Sequence, residues 1–304
     1  MTRVLIAGTG AVGGYFGGLL ARAGHDVVFL ARGANLAALR THGLVVESVD
    51  GDFTVARPSA VETVVGLAPV ELVIVAAKSY DTWAVAAAIA SVVGPETTVL
   101  SLQNGVENEA ILAAALGLPP LLGAMTHIGA ELVAPGRVRH VAQGTIYFGE
   151  LGGDETPRTR ALAALLATAG VQHRVCRDIL LRLWDKLAWN AAYNAVTAVT
   201  RTTPGTIASL PATLALVRDV IAEVYAVARA QGIGLDDAHI DAVLTMSRER
   251  LPDLRTSMLQ DVERGRRLEH DALNGAVIRY GHAVGVATPL NRTLHALVDA
   301  LDRR

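Results

Sequence analysis

Three polar residues at four-residue intervals, Lys186, Asn190 and Asn194, stand out in the segment WDKLAWNAAYNAVTA of this 304-residue sequence. In an α-helix each step of four advances about 400°, so the three side chains fall on one face. Asparagine is a mediocre helix former, and the neighbours Leu183, Trp184, Leu187, Ala188, Trp189, Ala191 and Ala192 are apolar. The stripe is either a solvated face or the lining of a ligand cleft, and the apolar surroundings favour the cleft. The chemistry that suits it is carbonyl reduction. Hydride addition builds negative charge on the carbonyl oxygen, and an ammonium group can stabilise that charge and deliver the proton, worth roughly 10²–10⁴-fold. The asparagines offer neutral donors and acceptors to substrate hydroxyls or a carboxylate. Farther on, Ser257 and Gln260 have the spacing of a capping box. A hydroxyl there either starts a helix or, with the helix N-terminus, receives a substrate carboxylate. Glu269 falls close to the start of the next helix, where an acid steadies the helix dipole with or without a further role.

A second group of residues lies near the N-terminus. In VLIAGTGAVGGYFGG, Gly8, Gly10 and Gly13 form GxGxxG directly after a strand-like run and before a helix-like one. The first glycine permits a tight turn, the second lets backbone approach a pyrophosphate, and the third lets the helix pack on the strand. The loop Gly8, Thr9, Gly10, Ala11, Val12, Gly13 is therefore expected to cradle a dinucleotide at a helix N-terminus. NAD sites usually place an acid at the end of the second strand; here VVFLAR ends in Arg32. A guanidinium suits a 2′-phosphate, so NADP(H) is the expected cofactor, the plain alternative being an exposed loop arginine. Lys78 after LVIVAA and Asn104 after TVLSLQ occupy the ends of further expected strands, where ligands bind in open α/β sheets. Asn104-Gly105 is equally a turn signal, and a lone Lys78 reads more often as solvent-exposed than as functional.

The elements that must carry these residues follow from pattern. Up to about Arg177, short apolar runs (Val4–Ala7, Val27–Ala31, Leu72–Ala76, Thr98–Leu102, Tyr147–Glu150) alternate with helix-like segments (Ala11–Ala23, Thr82–Val93, Glu107–Leu116, Thr156–Ala169). Such alternation implies a parallel sheet covered on both faces. Between Met125 and Gly149 a strand–turn–strand pattern around Pro135–Gly136 suggests an antiparallel addition to that sheet. From Asp178 onward apolar residues recur at three and four positions, as in Val217, Ile221, Val224 and Ala228, so this half is expected to be all-helical. The expected fold is α/β: a Rossmann-type, mostly parallel sheet domain over 1–177 and an all-α domain over 178–304. Hydrophobic residues make up 51% and charged residues 18%, with mean hydropathy +0.37, enough for a large core. The longest apolar stretches fall short of a membrane span, and no secretory leader is read at the N-terminus, so a cytoplasmic enzyme is expected. The net charge of −2 argues against a nucleic-acid footprint. The short arginine clusters at Arg264–Arg267 and Arg303–Arg304 read as solvated faces. Cys176 is the single cysteine and reads as buried filler. No metal site is expected, and the oligomeric state is open, a homodimer included.

Taken together, GTGAVGG, Arg32, VAAKSYDT, LQNGVENE, WDKLAWNAAYNAVTA and TSMLQDVERGR-x-x-E-x-D-x-x-NG resemble the ketopantoate reductase family (2-dehydropantoate 2-reductases) over essentially the whole chain. The resemblance implies NADPH-dependent reduction of 2-dehydropantoate to (R)-pantoate, toward pantothenate and coenzyme A. It implies Lys186 as general acid, and Asn190, Asn194 and Ser257 as holders of the substrate's hydroxyl and carboxylate groups. Glu269 would orient substrate or cofactor near the reacting centre. Arg32 and Lys78 would serve the adenosine 2′-phosphate end and Asn104 the nicotinamide end. The chain departs from the family where Leu268 and His270 flank Glu269, in place of threonine and an aliphatic residue. It departs again at Pro204 before Gly205, where some members contribute another asparagine. These positions bear on which 2-oxo acid fits, so the same reaction on a different 2-oxo acid is the alternative, and a silent NADP(H)-binding regulator a more distant one.

Overall fold

The structure is a computed structural model that describes residues 1–119 and 121–303; Arg304, the end of the expected helical domain and of the C-terminal arginine pair, lies outside the described residues. The chain divides into two compact units, one formed by Met1–Gln103 with Asn108–Ile179, the other by Asn104–Glu107 with the chain from Leu180 onward.

In the first unit, strands β1 (Arg3–Ala7), β2 (Asp26–Leu30), β5 (Ser59–Val61), β6 (Leu72–Val75) and β7 (Thr98–Ser101) form a parallel sheet in the order β5-β2-β1-β6-β7. Alternate side chains leave opposite faces of a strand. Val4, Ile6, Phe29, Ile74 and Leu100 enter one core with helix α1 (Ala11–Arg22). Leu5, Val28, Val73 and Val99 enter another with α3 (Thr82–Ile89) and α4 (Asn108–Leu116). Burial on both faces is why these strands read as unbroken apolar runs rather than alternating ones.

The hairpin β8 (Gly123–Ala134) and β9 (Arg137–Gly149), turning at Pro135–Gly136, does not extend that sheet. It belongs to a second sheet, β10-β9-β3-β4, with β3 (Leu44–Ser48), β4 (Phe53–Val55) and β10 (His173–Val175). The physical reason is α1. Gly13–Leu20 are all buried, so this helix is enclosed all round, as expected when structure packs on every side. One side meets the parallel sheet. On the other, a Cβ at Gly14 would lie 2.8 Å from Val138 and one at Gly18 2.9 Å from Phe53. The two glycines let the second sheet close onto the helix, and the hairpin is hydrogen-bonded into that sheet and not into the first. Helices α2 (Gly33–His42) and α5 (Pro157–Thr168) complete the unit. Cys176 is buried, its thiol donating to the Arg174 carbonyl at 3.6 Å and its N–H to the Phe148 carbonyl at 2.8 Å.

The second unit is helical: α6 (Ile179–Trp189), α7 (Ala195–Thr200), α8 (Pro204–Ser209), α9 (Pro211–Ala230), α10 (Ala238–Arg250), α11 (Ser257–Glu263), α12 (Ala276–Val284) and α13 (Pro289–Asp302). Trp184, Leu187, Tyr193, Ile221, Val224 and Tyr225 contribute to its core. Two stretches are π turns rather than α-helix, Asn190–Asn194 between α6 and α7 and Asp271–Gly275 before α12. Among the described residues no helix is long and apolar enough to cross a membrane, and no group of three or more His, Cys, Asp or Glu could hold a metal ion.

Candidate active site

The glycine loop leaves β1 at Gly8, whose φ of +105° is open to glycine and strained for other residues. A Cβ there would also lie 2.6 Å from the Ala77 nitrogen, so neighbouring backbone closes the position twice over. Gly13 sits under the Gly8 carbonyl, which a Cβ would approach to 2.2 Å. Around Gly10, by contrast, a Cβ would meet nothing within 4 Å, and Gly10 stands at the N-cap of α1 without a capping side chain. The first N–H groups of a helix have no intrahelical partner. The amides of Ala11, Val12 and Gly13 could therefore hold a pyrophosphate.

Thr9 is buried and anchors the loop to β2 through its hydroxyl, which donates to the Leu30 carbonyl at 3.0 Å. Asn35 of α2 donates to the Thr9 carbonyl at 2.5 Å and accepts from the Gly136 N–H at 2.8 Å, tying the loop to the β8–β9 turn. Because Gly13 has no slack, Gly13→Ala is expected to push α1 off β1, with about 1–3 kcal/mol of stability lost. Thermal unfolding and an NADPH titration on the same sample check this; an unshifted melting temperature with full affinity would contradict it.

Arg32 is the N-cap of α2, its side chain 76% exposed, with the nearest acid, Asp81, at 3.6 Å. Lys78 is half-buried just beyond β6, at the start of a short 3₁₀ turn, Ser79–Asp81. Beneath that turn runs a buried polar cluster. The Thr82 hydroxyl accepts from Gln103 Nε2 at 3.0 Å and shares its proton between the Ser79 carbonyl (2.7 Å) and Asn108 Oδ1 (2.9 Å). The loop carrying Lys78 and the chain just before Asn104 are thus braced by the same hydroxyl. Asn104 itself belongs to the second unit and is half-buried, followed by Gly105 at φ +107°.

In the second unit Lys186 is half-buried near the end of α6, and Asn190 (6% exposed) and Asn194 (2%) open and close the first π turn. A solvated polar face is therefore not what the two asparagines form. The constant 100° step expected for a plain α-helix does not hold here, because a π turn is wider; such bulges frequently mark functional sites. Asn194 Oδ1 is buried with no hydrogen-bond partner among the described residues, an acceptor left open in a protein interior where nearly all are paired. The other side of this helix is fixed. The Asp185 carboxylate accepts from the buried Tyr225 hydroxyl, whose pKa is pushed up by burial and then by Asp185, and Trp189 Nε1 donates to Ser247 at 2.9 Å.

Ser257 is not the cap of its helix. That position is Thr256, whose hydroxyl accepts from the Leu259 N–H at 3.3 Å, while Gln260 donates to the Arg255 carbonyl at 2.8 Å. The N-cap lies one residue earlier than the spacing suggests, Leu259 at the third helical position makes no capping box, and Ser257 is left exposed in the first turn. Thr256 also pairs with Thr197 of α7 (2.7 Å between hydroxyls), so the start of α11 is joined to the helix that follows the π turn. Glu269 is buried (8% exposed) two residues before the second π turn. Leu268 is buried, and so is His270. The His270 ring lies 4.8 Å from that of His295 and is held below the ordinary histidine pKa by burial and then by His295. Pro204 is the first residue of α8, and Gly205 is pressed against Pro252, whose carbonyl a Cβ would meet at 2.8 Å.

The model of the ketopantoate reductase PanE/ApbA family matches residues 4–153, and that of its C-terminal part matches residues 178–302. The chain belongs to this family. A 2-dehydropantoate 2-reductase of Archaeoglobus fulgidus is 36% identical over 302 residues, covering 99% of this chain and 98% of that one. A PanE/ApbA family ketopantoate reductase from Ralstonia eutropha JMP134 superimposes with TM-score 0.91 at 37% identity, covering 99% and 98% of the two chains. D-mandelate dehydrogenase, solved with NADH and anilino(oxo)acetate, also superimposes at TM-score 0.91, with 25% identity and coverage of 99% and 98%. The α/β architecture with a helical second half is the family's.

Several residues of this arrangement escape a reading of the sequence. Asn35 lies on a helix with little amphipathic contrast, and Thr82 and Asn108 look like helix-end residues. Thr82 and Asn108 are buried and Asn35 is half-buried, which spacing does not report.

Proposed function

We propose that this chain reduces 2-dehydropantoate to pantoate with NADPH. The observation that carries the reading is the half-buried Lys186 beside Asn190 and Asn194, buried together in one π turn with an acceptor oxygen unsatisfied. Family membership over both units supports it. The nicotinamide, when bound, supplies the hydride. Lys186 gives its proton to the carbonyl oxygen as charge develops there, completing the hydroxyl. Asn190 and Asn194 hold the substrate's polar groups, the open Oδ1 of Asn194 accepting from a hydroxyl, and Ser257 meets the carboxylate. Buried Glu269 orients substrate or cofactor. Gly8 to Gly13 cradle the pyrophosphate, Arg32 and Lys78 take the 2′-phosphate, and Asn104 serves the nicotinamide end.

NADPH oxidation measured with ketopantoate beside smaller and larger 2-oxo acids tests the reading. Preference for ketopantoate, on the order of tenfold or more in kcat/KM, is the expected result. A higher kcat/KM for another 2-oxo acid would move the substrate assignment while leaving the reaction type in place. No turnover with any of them would end it.

A further inference from the structure

The two π turns of the helical unit are wired together by a buried chain of amides, and its geometry fixes which way each amide points. Glu223 of α9 presents both carboxylate oxygens to the start of α13, accepting from the Leu290 N–H (2.8 Å), the Asn291 N–H (3.0 Å) and Asn291 Nδ2 (2.8 Å). An ionised carboxylate only accepts. Asn291, itself fully buried, must therefore turn its NH₂ toward Glu223 and its oxygen away. That oxygen accepts from Asn274 Nδ2 at 3.0 Å, and the same Nδ2 donates to the Ala191 carbonyl at 2.9 Å. Asn274 is 0% exposed and belongs to the second π turn, whereas Ala191 lies inside the first, between Asn190 and Asn194. A side-chain donor set into the backbone ladder of a helix is a recognised cause of local distortion.

We propose that Asn274 is a positioning residue: it clamps the Asn190–Asn194 turn in its wide form, so that the two asparagines are presented at the angle substrate binding needs. Glu223 and Asn291 set the polarity of that clamp from a distance. The inference rests on the reading of Asn190 and Asn194 as substrate contacts. Glu223 touches neither of them directly; its influence runs through Asn291 and Asn274.

The test is Asn274→Ala, read by steady-state kinetics, NADPH affinity from fluorescence titration, and backbone amide exchange across residues 190–196. The expected result is a KM for ketopantoate raised about tenfold or more, with NADPH Kd unchanged and exchange accelerated in that stretch. A role in stability alone would lower the melting temperature and leave KM and local exchange at wild-type values, and this outcome overturns the proposal. If Asn274→Ala does not fold, Glu223→Gln decides. Its amide brings a donor against the donors it now faces, so the Asn291 polarity is disturbed, and KM is expected to rise about threefold; an unchanged KM refutes the relay. If the wild-type enzyme itself turns over no ketopantoate, the substrate reading fails first, and the exchange measurement alone judges the clamp. Faster exchange confined to residues 190–196 then sustains it, and unchanged exchange rejects it.

Discussion

Lys186→Ala is expected to lower kcat by roughly 10²-fold or more while NADPH affinity stays within about threefold of wild type. The size follows from the role proposed for the ammonium. In that reading the carbonyl oxygen is neutral in the ground state, where its contact with lysine is modest, and carries developing negative charge in the transition state. An interaction that strengthens in this way is lost from kcat rather than from binding. Lys186 is half-buried on α6, and its neighbours Asp185 and Trp189 are pinned to α9 and α10, so the side chain springs from a fixed helix. Lys186→Arg separates two contributions. Arginine keeps the charge but releases a proton far less readily, so a partial rescue measures electrostatic stabilisation and the remaining deficit measures proton delivery. Turnover unchanged in Lys186→Ala, with product formation confirmed, would take this lysine out of the chemistry.

The second large effect is expected at Arg32. A charge-assisted contact to a phosphate is worth about 1.5–3 kcal/mol, on the order of 10- to 100-fold in affinity. Arg32→Asp should weaken NADPH by at least that much, since a like charge replaces an opposite one. NADH should be spared or favoured, because a carboxylate there accepts from a ribose hydroxyl. The exposed guanidinium, with Asp81 no nearer than 3.6 Å, is not committed to a close internal ion pair. Its place at the N-cap of α2 adds the partial positive charge of a helix end. The point matters for this fold because the structurally similar D-mandelate dehydrogenase was solved with NADH. Dissociation constants for both cofactors, measured on both proteins, give the ratio; an unmoved ratio assigns the phosphate to another residue.

Much of the first unit was legible because its central strands are buried on both sides and so appear as uninterrupted apolar runs. Val4–Ala7 and Leu72–Val75 are examples. The strands that escaped notice are short or half-exposed. In β4 (Phe53–Val55) and β5 (Ser59–Val61) not one residue is fully buried, and such segments carry little periodic signal. The destination of the β8–β9 hairpin was not legible at all, since it depends on two glycines of α1 admitting a second sheet. In the helical half, four-residue spacing drew attention to Lys186, Asn190 and Asn194, yet the π turn that carries the asparagines leaves no mark in the sequence. Spacing also put the N-cap at Ser257, one residue late, because both Ser and Thr can cap and the hydroxyl that does so here is that of Thr256.

Arg279 of α12 grips Glu107 with two nitrogens, at 3.0 and 2.6 Å, and Asp271 at 2.9 Å, and so holds the Asn104–Glu107 stretch to the helical unit. The polypeptide thus crosses from one unit to the other three times, after Gln103, Glu107 and Ile179. A single cut in the chain therefore does not separate the two units. A fragment beginning at residue 180 would leave Arg279 with one of its two acids. A helical unit excised with its triad intact has to carry the Asn104–Glu107 stretch along with the helices.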